Sequence, residues 1–83
     1  MKLTNLEKQA LQMIVDEANE IDEDNGVITY LCAYDIDEKS IQGFRGVCSS
    51  LIQKDIICIT DNAYCNVVNI PIDENGKVQF ELM

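Results

Sequence analysis

Histidine and tryptophan are absent from this 83-residue sequence, and proline occurs only once. The absence of histidine removes the commonest general base, the Ser-His-Asp and Cys-His catalytic arrangements, and the commonest zinc ligand. The fifteen acidic residues are spread over predicted helix faces and turns, which is typical of a solvated surface and not of a catalytic carboxylate pair. We therefore expect that the protein is not an enzyme, assign no catalytic residue and expect no cofactor.

Long apolar runs are also missing. No stretch of about 18 apolar residues exists, and charges interrupt the N-terminal segment MKLTNLEKQALQ, so we expect neither membrane insertion nor secretion. The four cysteines lie in apolar or strand-like stretches and lack the close paired spacing of structural zinc sites. We expect free and mostly buried thiols, no bound metal and a cytoplasmic location.

Basic residues are scarce as well. Six Lys and Arg stand against fifteen Asp and Glu, which gives a net charge of −9. This balance is the reverse of the basic surface expected of a dedicated nucleic-acid binder. A chain of 83 residues has room for one hydrophobic core, and a hydrophobic content of 47% is sufficient for it to fold. We therefore treat residues 1–83 as a single domain.

The first half of the chain contains one clear helix and one ambiguous segment. Thr4 and Glu7 form a capping-box pattern, and the apolar spacing that follows predicts a helix over Asn5–Glu20. The acidic segment Asp22–Gly26 includes an Asn-Gly step and predicts a loop. The apolar stretch Val27–Ile36 fits a strand by composition and a short helix by length, and periodicity leaves both open.

The second half of the chain begins with a helix and continues as strands. Apolar spacing predicts a helix over Glu38–Lys54, which should end at Asp55 because Asp tolerates a left-handed backbone. The runs Ile56–Ile59 and Val67–Ile70 predict an antiparallel hairpin. The step Asn75–Gly76 precedes alternating apolar residues and predicts a second hairpin. This order of elements indicates an α+β class.

A resemblance to a known family rests on the segment Gly43–Ile57, which reads GFRGVCSSLIQKDII. It resembles the recognition helix and first wing strand of winged helix-turn-helix domains. In that pattern a helix rich in small residues ends in Ser-Leu, a basic pair, Gly and two aliphatic residues. Here Gln53 and Lys54 replace the basic pair, and Asp55 replaces the Gly. The opening Leu3-Thr4-x-x-Glu7 is also similar to the start of such domains.

The resemblance implies a winged helix-turn-helix fold, in which helices are followed by a C-terminal antiparallel β-hairpin or sheet. It makes Ile28–Ile36 the second helix, Ile41–Lys54 the recognition helix and Asp61–Tyr64 a short acidic wing tip. Domains of this family bind DNA, RNA or proteins, so the resemblance alone leaves the partner open.

Half of the basic residues fall on or beside the predicted recognition helix, together with polar side chains that can point outward. Arg and Gln can read base edges, and Lys and Ser can hold phosphates. The leading hypothesis is therefore a small DNA-binding transcriptional regulator that acts as a homodimer. The alternative for these residues is that they are ordinary solvated side chains of an amphipathic helix. The candidate DNA-binding residues are Lys39, Gln42, Arg45, Ser49 and Lys54.

The rival hypothesis is an acidic protein-binding module, such as an adaptor or a small phage or mobile-element inhibitor, that engages a basic protein partner. The net charge of −9 supports this hypothesis directly. The candidate protein-binding residues are Asp16, Glu17, Glu20, Asp22, Glu23 and Asp24.

Overall fold

A computed structural model describes residues 2–36 and 43–83 of the protein. The described residues form two helices and seven strands and belong to the α+β class. In chain order the elements are β1 (Lys2–Leu3), α1 (Asn5–Glu17), β2 (Glu20–Asp24), β3 (Val27–Tyr34), α2 (Phe44–Gln53), β4 (Ile57–Thr60), β5 (Ala63–Asn66), β6 (Ile70–Pro71) and β7 (Glu81–Leu82). Neither helix is long and apolar enough to cross a membrane in this part of the chain.

Helix α1 begins where the sequence predicts and ends earlier. The Glu7 N–H donates to Thr4 Oγ1 at 3.1 Å, and the Thr4 N–H donates to Glu7 Oε1 at 2.8 Å, which completes the capping box. The helix stops at Glu17, although its apolar spacing continues to Glu20. Strand pairing overrides that spacing, because the Asn19 N–H already donates to the carbonyl oxygen of Cys32 in β3 at a distance of 2.9 Å.

The segment predicted to be an acidic loop is a strand of a tight hairpin. Asn25 and Gly26 have φ angles of 50° and 80°, which is the left-handed pair that a two-residue turn of this kind requires. The turn pairs β2 with β3 in antiparallel fashion, and Thr29 is the extra residue of a β-bulge in that register. The loop prediction is therefore wrong for Asp22–Asp24, which lie in β2, whereas the predicted turn of the chain at Asn25–Gly26 is present. The open choice for Val27–Ile36 resolves to a strand.

A second tight hairpin joins β4 and β5. Asp61 and Asn62, with φ angles of 51° and 64°, form its turn, so the hairpin partner of β4 is β5 and not the predicted Val67–Ile70. Strand β6 instead pairs with the first residues of β3. Between the β3–β5 and β3–β6 ladders, the side chain of Asn66 takes the place of a backbone partner. Its Oδ1 accepts a hydrogen bond from the Leu31 N–H at 2.7 Å.

The main sheet has the order β2-β3-β5-β4, with β6 as a second neighbour of β3 on the β5 side. Both helices cover one face of this sheet, and the core lies between the two layers. Buried side chains of the core include Ala10, Leu11, Ile14, Ile28, Leu31, Phe44, Leu51, Ile57 and Ile70. The helical spacing of apolar residues predicts that Phe44, Val47 and Leu51 face the core together with Leu6, Ala10 and Ile14. This is confirmed except that Val47 is only partly buried and Leu6 is 52% exposed.

This architecture overturns the winged helix-turn-helix prediction. The described residues contain two helices and a five-stranded antiparallel sheet, and the segment Ile28–Ile36 that the resemblance makes a helix lies mostly in the central strand β3. The Asn-Gly turn before this segment explains the difference, because it returns the chain antiparallel to β2 and pairs the segment as a strand. The predicted acidic wing tip Asp61–Tyr64 consists of the turn of the β4–β5 hairpin and the first two residues of β5.

Helix α2 is shorter than the predicted Glu38–Lys54. It begins at Phe44 after Gly43, whose φ of 71° places a left-handed residue at the N-cap, and residues 37–42 lie outside the described chain. At the other end Asp55 has a φ of 58°, which confirms the predicted left-handed stop.

The C-terminal residues are held by α1 and β1. The turn around Asn75–Gly76 brings Val78 opposite Ile72, as the second predicted hairpin requires, although only one bridge forms there. The side chain of Gln12 fastens this turn to α1, since its Oε1 accepts from the Val78 N–H at 2.7 Å. Strand β7 then pairs with β1 in parallel.

Candidate functional site

The acidic residues of the predicted protein-binding surface form the edge of the main sheet. All five residues of β2 are exposed, and four of them are acidic: Glu20, Asp22, Glu23 and Asp24. Within the described residues β2 has a single strand neighbour, β3, so its outer edge carries backbone groups that no described strand pairs. We refer to Glu20–Asp24 as the acidic edge.

An apolar side chain lies in the middle of the acidic edge. Ile21 is 41% exposed and lies across from Leu31, whose side chain belongs to the core. Glu20 and Asp22 project to the opposite face of the sheet, because neighbouring residues of a strand alternate between faces. Glu23 lies across from the core residue Ile28 and shares the face of Ile21. The edge therefore carries carboxylates on both faces and one isoleucine on the face of the helices.

The remaining two acidic candidates lie in the last turn of α1. Asp16 and Glu17 are both exposed, and Asp16 Oδ1 accepts from Gln12 Nε2 at 3.0 Å. Two residues separate this turn from the start of β2. All six predicted protein-binding residues are thus exposed and lie on consecutive elements.

The predicted DNA-binding residues are placed in three different situations. Lys39 and Gln42 lie outside the described residues. Arg45 and Ser49 are exposed on α2 and line a groove of about 420 Å³ between α2 and the β4–β5 hairpin, opposite Asn62. Lys54 is the C-cap residue of α2 and points toward α1.

Lys54 forms a salt bridge with the buried carboxylate of Glu7. The sequence identifies Glu7 only as part of the capping box of α1. The Lys54 Nζ lies 2.7 Å from Glu7 Oε1, and the Ser50 hydroxyl donates to Glu7 Oε2. Burial acts to raise the pKa of Glu7, but hydrogen bonds from Lys54, Ser50 and Thr4 outweigh it and lower that pKa from 4.5 to about 2. The positive charge of Lys54 is therefore already balanced inside the protein.

Three cysteines form a row across the face of the sheet that points away from the helices. Cys65 lies opposite Cys32 in the β3–β5 register and opposite Cys58 in the β4–β5 register. Cys32 is buried, whereas Cys58 and Cys65 are half-buried, and the sulfur atoms of Cys32 and Cys65 are 3.0 Å apart. Spacing along the sequence does not reveal this row, because it arises from strand register.

The fourth cysteine is separate from this row. Cys48 lies on α2 and is buried in the core. None of the four cysteines is in a disulfide, as predicted, but only two of them are buried. Among residues 2–36 and 43–83 no three Cys, Asp or Glu side chains are grouped so that they can hold a metal ion.

Comparison with known proteins leaves the geometry as the basis for assigning a function. No protein-family model, curated protein or solved structure matches the chain. The fold therefore comes with no relative whose activity can be transferred to it. Three surfaces are open to functional interpretation: the acidic edge, the groove beside Arg45 and the row of three cysteines.

Proposed function

We propose that this protein is a non-catalytic binding module that engages a basic segment of another protein through the acidic edge. One observation carries the proposal: β2 is a fully exposed edge strand in which four of five residues are carboxylates. An extended peptide can add to such an edge through backbone hydrogen bonds, while pockets and charges select its side chains. Lysine or arginine at alternate positions of that peptide complements Glu20 and Asp22.

The charge of the whole protein supports this choice of partner. A net charge of −9 attracts a basic chain and repels a nucleic-acid backbone. The exposed Ile21 adds an apolar contact on the face opposite Glu20 and Asp22. Free thiols fit a reducing compartment, and the proposal accordingly places the protein in the cytosol.

DNA binding has weaker support from the same geometry. Arg45 and Ser49 do share a groove, but Lys54 is paired with Glu7 and offers little charge to a phosphate. Each phosphate contact contributes to affinity through counterion release, so a face with few unpaired cations binds duplex DNA weakly. We therefore treat DNA as the alternative outcome of the test.

The test uses a fluorescent peptide of alternating lysine and valine residues, titrated with the protein at low ionic strength. A second peptide has the same charge but carries proline at alternate positions, which removes the backbone donors needed to extend a sheet. We expect the first peptide to bind more tightly than the second. Raising the salt concentration should weaken both, because salt screens exposed charges.

Matched charge variants locate the surface. Glu20→Gln, Asp22→Asn and Asp24→Asn together should weaken binding of the alternating peptide by about tenfold. The control combines Asp55→Asn, Asp61→Asn and Glu74→Gln, which changes the net charge equally at exposed positions away from β2. We expect the control to bind within about twofold of the unmodified protein.

The opposite pattern of results would replace the proposal. If duplex DNA binds at low salt, Arg45→Ala abolishes that binding and the acidic-edge variant strengthens it, the protein is a DNA binder. If neither peptide binds, the carboxylates of β2 serve only to prevent edge-to-edge association of sheets. Equal losses in the two charge variants would show that net charge, and not the acidic edge, attracts the peptide.

A further inference from the structure

We propose that Cys32 and Cys65 form a thiol pair that low-molecular-weight disulfides, such as oxidised glutathione, convert to an intramolecular cross-strand disulfide. The pair lies on the face of the sheet away from the helices, and Cys32 is the register partner of Glu20 in the β2–β3 ladder. The proposal rests on strand register, sulfur distance and the different exposure of the two thiols. It is independent of the partner that β2 binds.

The register of the β4–β5 hairpin determines whether Cys32 or Cys58 is the closer neighbour of Cys65. Thr60 and Ala63 close the two-residue turn as a hydrogen-bonded pair. Because hydrogen-bonded and non-hydrogen-bonded pairs alternate along an antiparallel ladder, Cys58 and Cys65 are a hydrogen-bonded pair. The backbone groups of Cys65 then point toward β4, which makes Cys32 its non-hydrogen-bonded neighbour on β3.

Side chains approach most closely in non-hydrogen-bonded pairs, where the Cα atoms are about 4.5 Å apart. That separation is at the short end of the range that disulfides bridge. The sulfur atoms of Cys32 and Cys65 are already 3.0 Å apart, so they must approach by only about 1 Å to bond. The sulfur of Cys58 instead contacts Thr60 Oγ1 at 3.8 Å, along its own strand.

The two thiols have different roles in the reaction. Cys32 is 3% exposed, whereas Cys65 is half-buried and is the one that a small disulfide can reach. Hydrogen bonds from Cys65, Tyr34 and Tyr30 lower the pKa of Cys32, while burial raises the pKa of Cys65 to about 12. Of the two thiols, Cys32 is therefore the one that ionises more readily, and its thiolate can accept the Cys65 proton directly.

The reaction is two successive thiol–disulfide exchanges. Cys32 first loses its proton to water and then takes up the Cys65 proton. The Cys65 thiolate attacks one sulfur of oxidised glutathione, which releases one glutathione thiolate. Cys32 then loses its proton to water, and its thiolate attacks the Cys65 sulfur and releases the second glutathione. The protein gives up two electrons and two protons, and the glutathione disulfide takes them up as two thiols.

The experiment treats the reduced full-length protein with excess oxidised glutathione, blocks remaining thiols with N-ethylmaleimide and measures the intact mass. We expect a species that is lighter by two hydrogen atoms before blocking and that takes up two fewer N-ethylmaleimide molecules than reduced protein. Peptide mapping should locate the bond between Cys32 and Cys65. Because the mapping uses the unmodified chain, the result does not depend on whether a variant folds.

Variants at the row provide the matched comparison. Cys58→Ser, which replaces the other neighbour of Cys65, should still form the disulfide, whereas Cys65→Ser should form none. Formation of a Cys58–Cys65 bond would overturn the proposal, as would stable glutathione adducts without an internal bond. Four thiols that all remain reactive after treatment would overturn it as well.

Discussion

The Lys54 ammonium lies 2.7 Å from the Glu7 carboxylate, and this ion pair joins the C-terminal end of α2 to the first turn of α1. The Glu7 side chain is 3% exposed, so the pair is screened little by water on the carboxylate side. The same carboxylate also accepts from Thr4 and Ser50. A residue that starts one helix thus also fixes the position of the other.

Glu7→Gln should destabilise the protein by about 2 to 3 kcal/mol, because it removes the charge from a buried, multiply hydrogen-bonded site. Chemical denaturation in urea measures the free energy of unfolding. Glu17→Gln is the control, since Glu17 is exposed on the same helix, and it should change that free energy by less than about 0.5 kcal/mol. Equal effects of the two substitutions would contradict the assigned role of Glu7.

The same carboxylate should make stability depend on pH in the acid range. Its pKa is about 2 in the folded protein and 4.5 ordinarily, so the folded state binds its proton less readily than the unfolded state. The stabilisation is complete above about pH 4.5 and is lost as the pH falls toward about 2, by roughly 3 kcal/mol in total. Glu7→Gln should lack this component. If the free energy of unfolding falls equally with pH in Glu7→Gln and in the unmodified protein, the contribution assigned to Glu7 is refuted.

Phe44→Ala should cost about 3 to 5 kcal/mol of stability. The ring is 2% exposed and packs edge-on against Tyr64, with the ring centroids 5.8 Å apart. Leu6→Ala provides the comparison, because Leu6 is half exposed, and should cost less than about 1 kcal/mol. Thermal or urea unfolding of both variants measures the difference. A larger loss for Leu6→Ala would show that the core is assigned to the wrong face.

Two glycine-to-alanine substitutions should change the stability of the protein in opposite directions. Gly26→Ala forces a side chain into the φ of 80° at the β2–β3 turn and should destabilise the protein by about 1 to 2 kcal/mol. Gly46 lies inside α2, where an added Cβ meets nothing within 4 Å. Gly46→Ala should therefore stabilise the protein by about 0.5 to 1 kcal/mol. Urea denaturation of each variant tests the pair, and destabilisation by both would contradict the described conformation of α2.

Local signals in the sequence predicted local features well. The capping box at Thr4 and Glu7 and the left-handed stop at Asp55 are both present as expected. Each depends on a few neighbouring residues and on a physical preference that tertiary contacts do not reverse. The second helix was likewise found from its apolar spacing, although its predicted start lies outside the described residues.

Features that depend on strand pairing were predicted poorly. The Asn25–Gly26 step was interpreted as a loop that turns the chain, and the strand pairing of the segments on both sides of this turn was not predicted. The resemblance of Gly43–Ile57 to a recognition helix covers one helix and the next strand, and it carries no information about the β2–β3 hairpin. The exposure of the acidic residues followed from their charge, but their position along a sheet edge did not.

The parallel ladder between β1 and β7 joins residues from nearly opposite ends of the sequence. Closing so large a loop costs more entropy than any local hairpin, and the ladder offers few contacts in return. We therefore expect it to form after the transition state for folding, when the core between helices and sheet is already in place. Contacts that are absent from the transition state govern the rate of unfolding. We therefore expect substitutions that weaken this short ladder to speed unfolding and to leave the folding rate nearly unchanged.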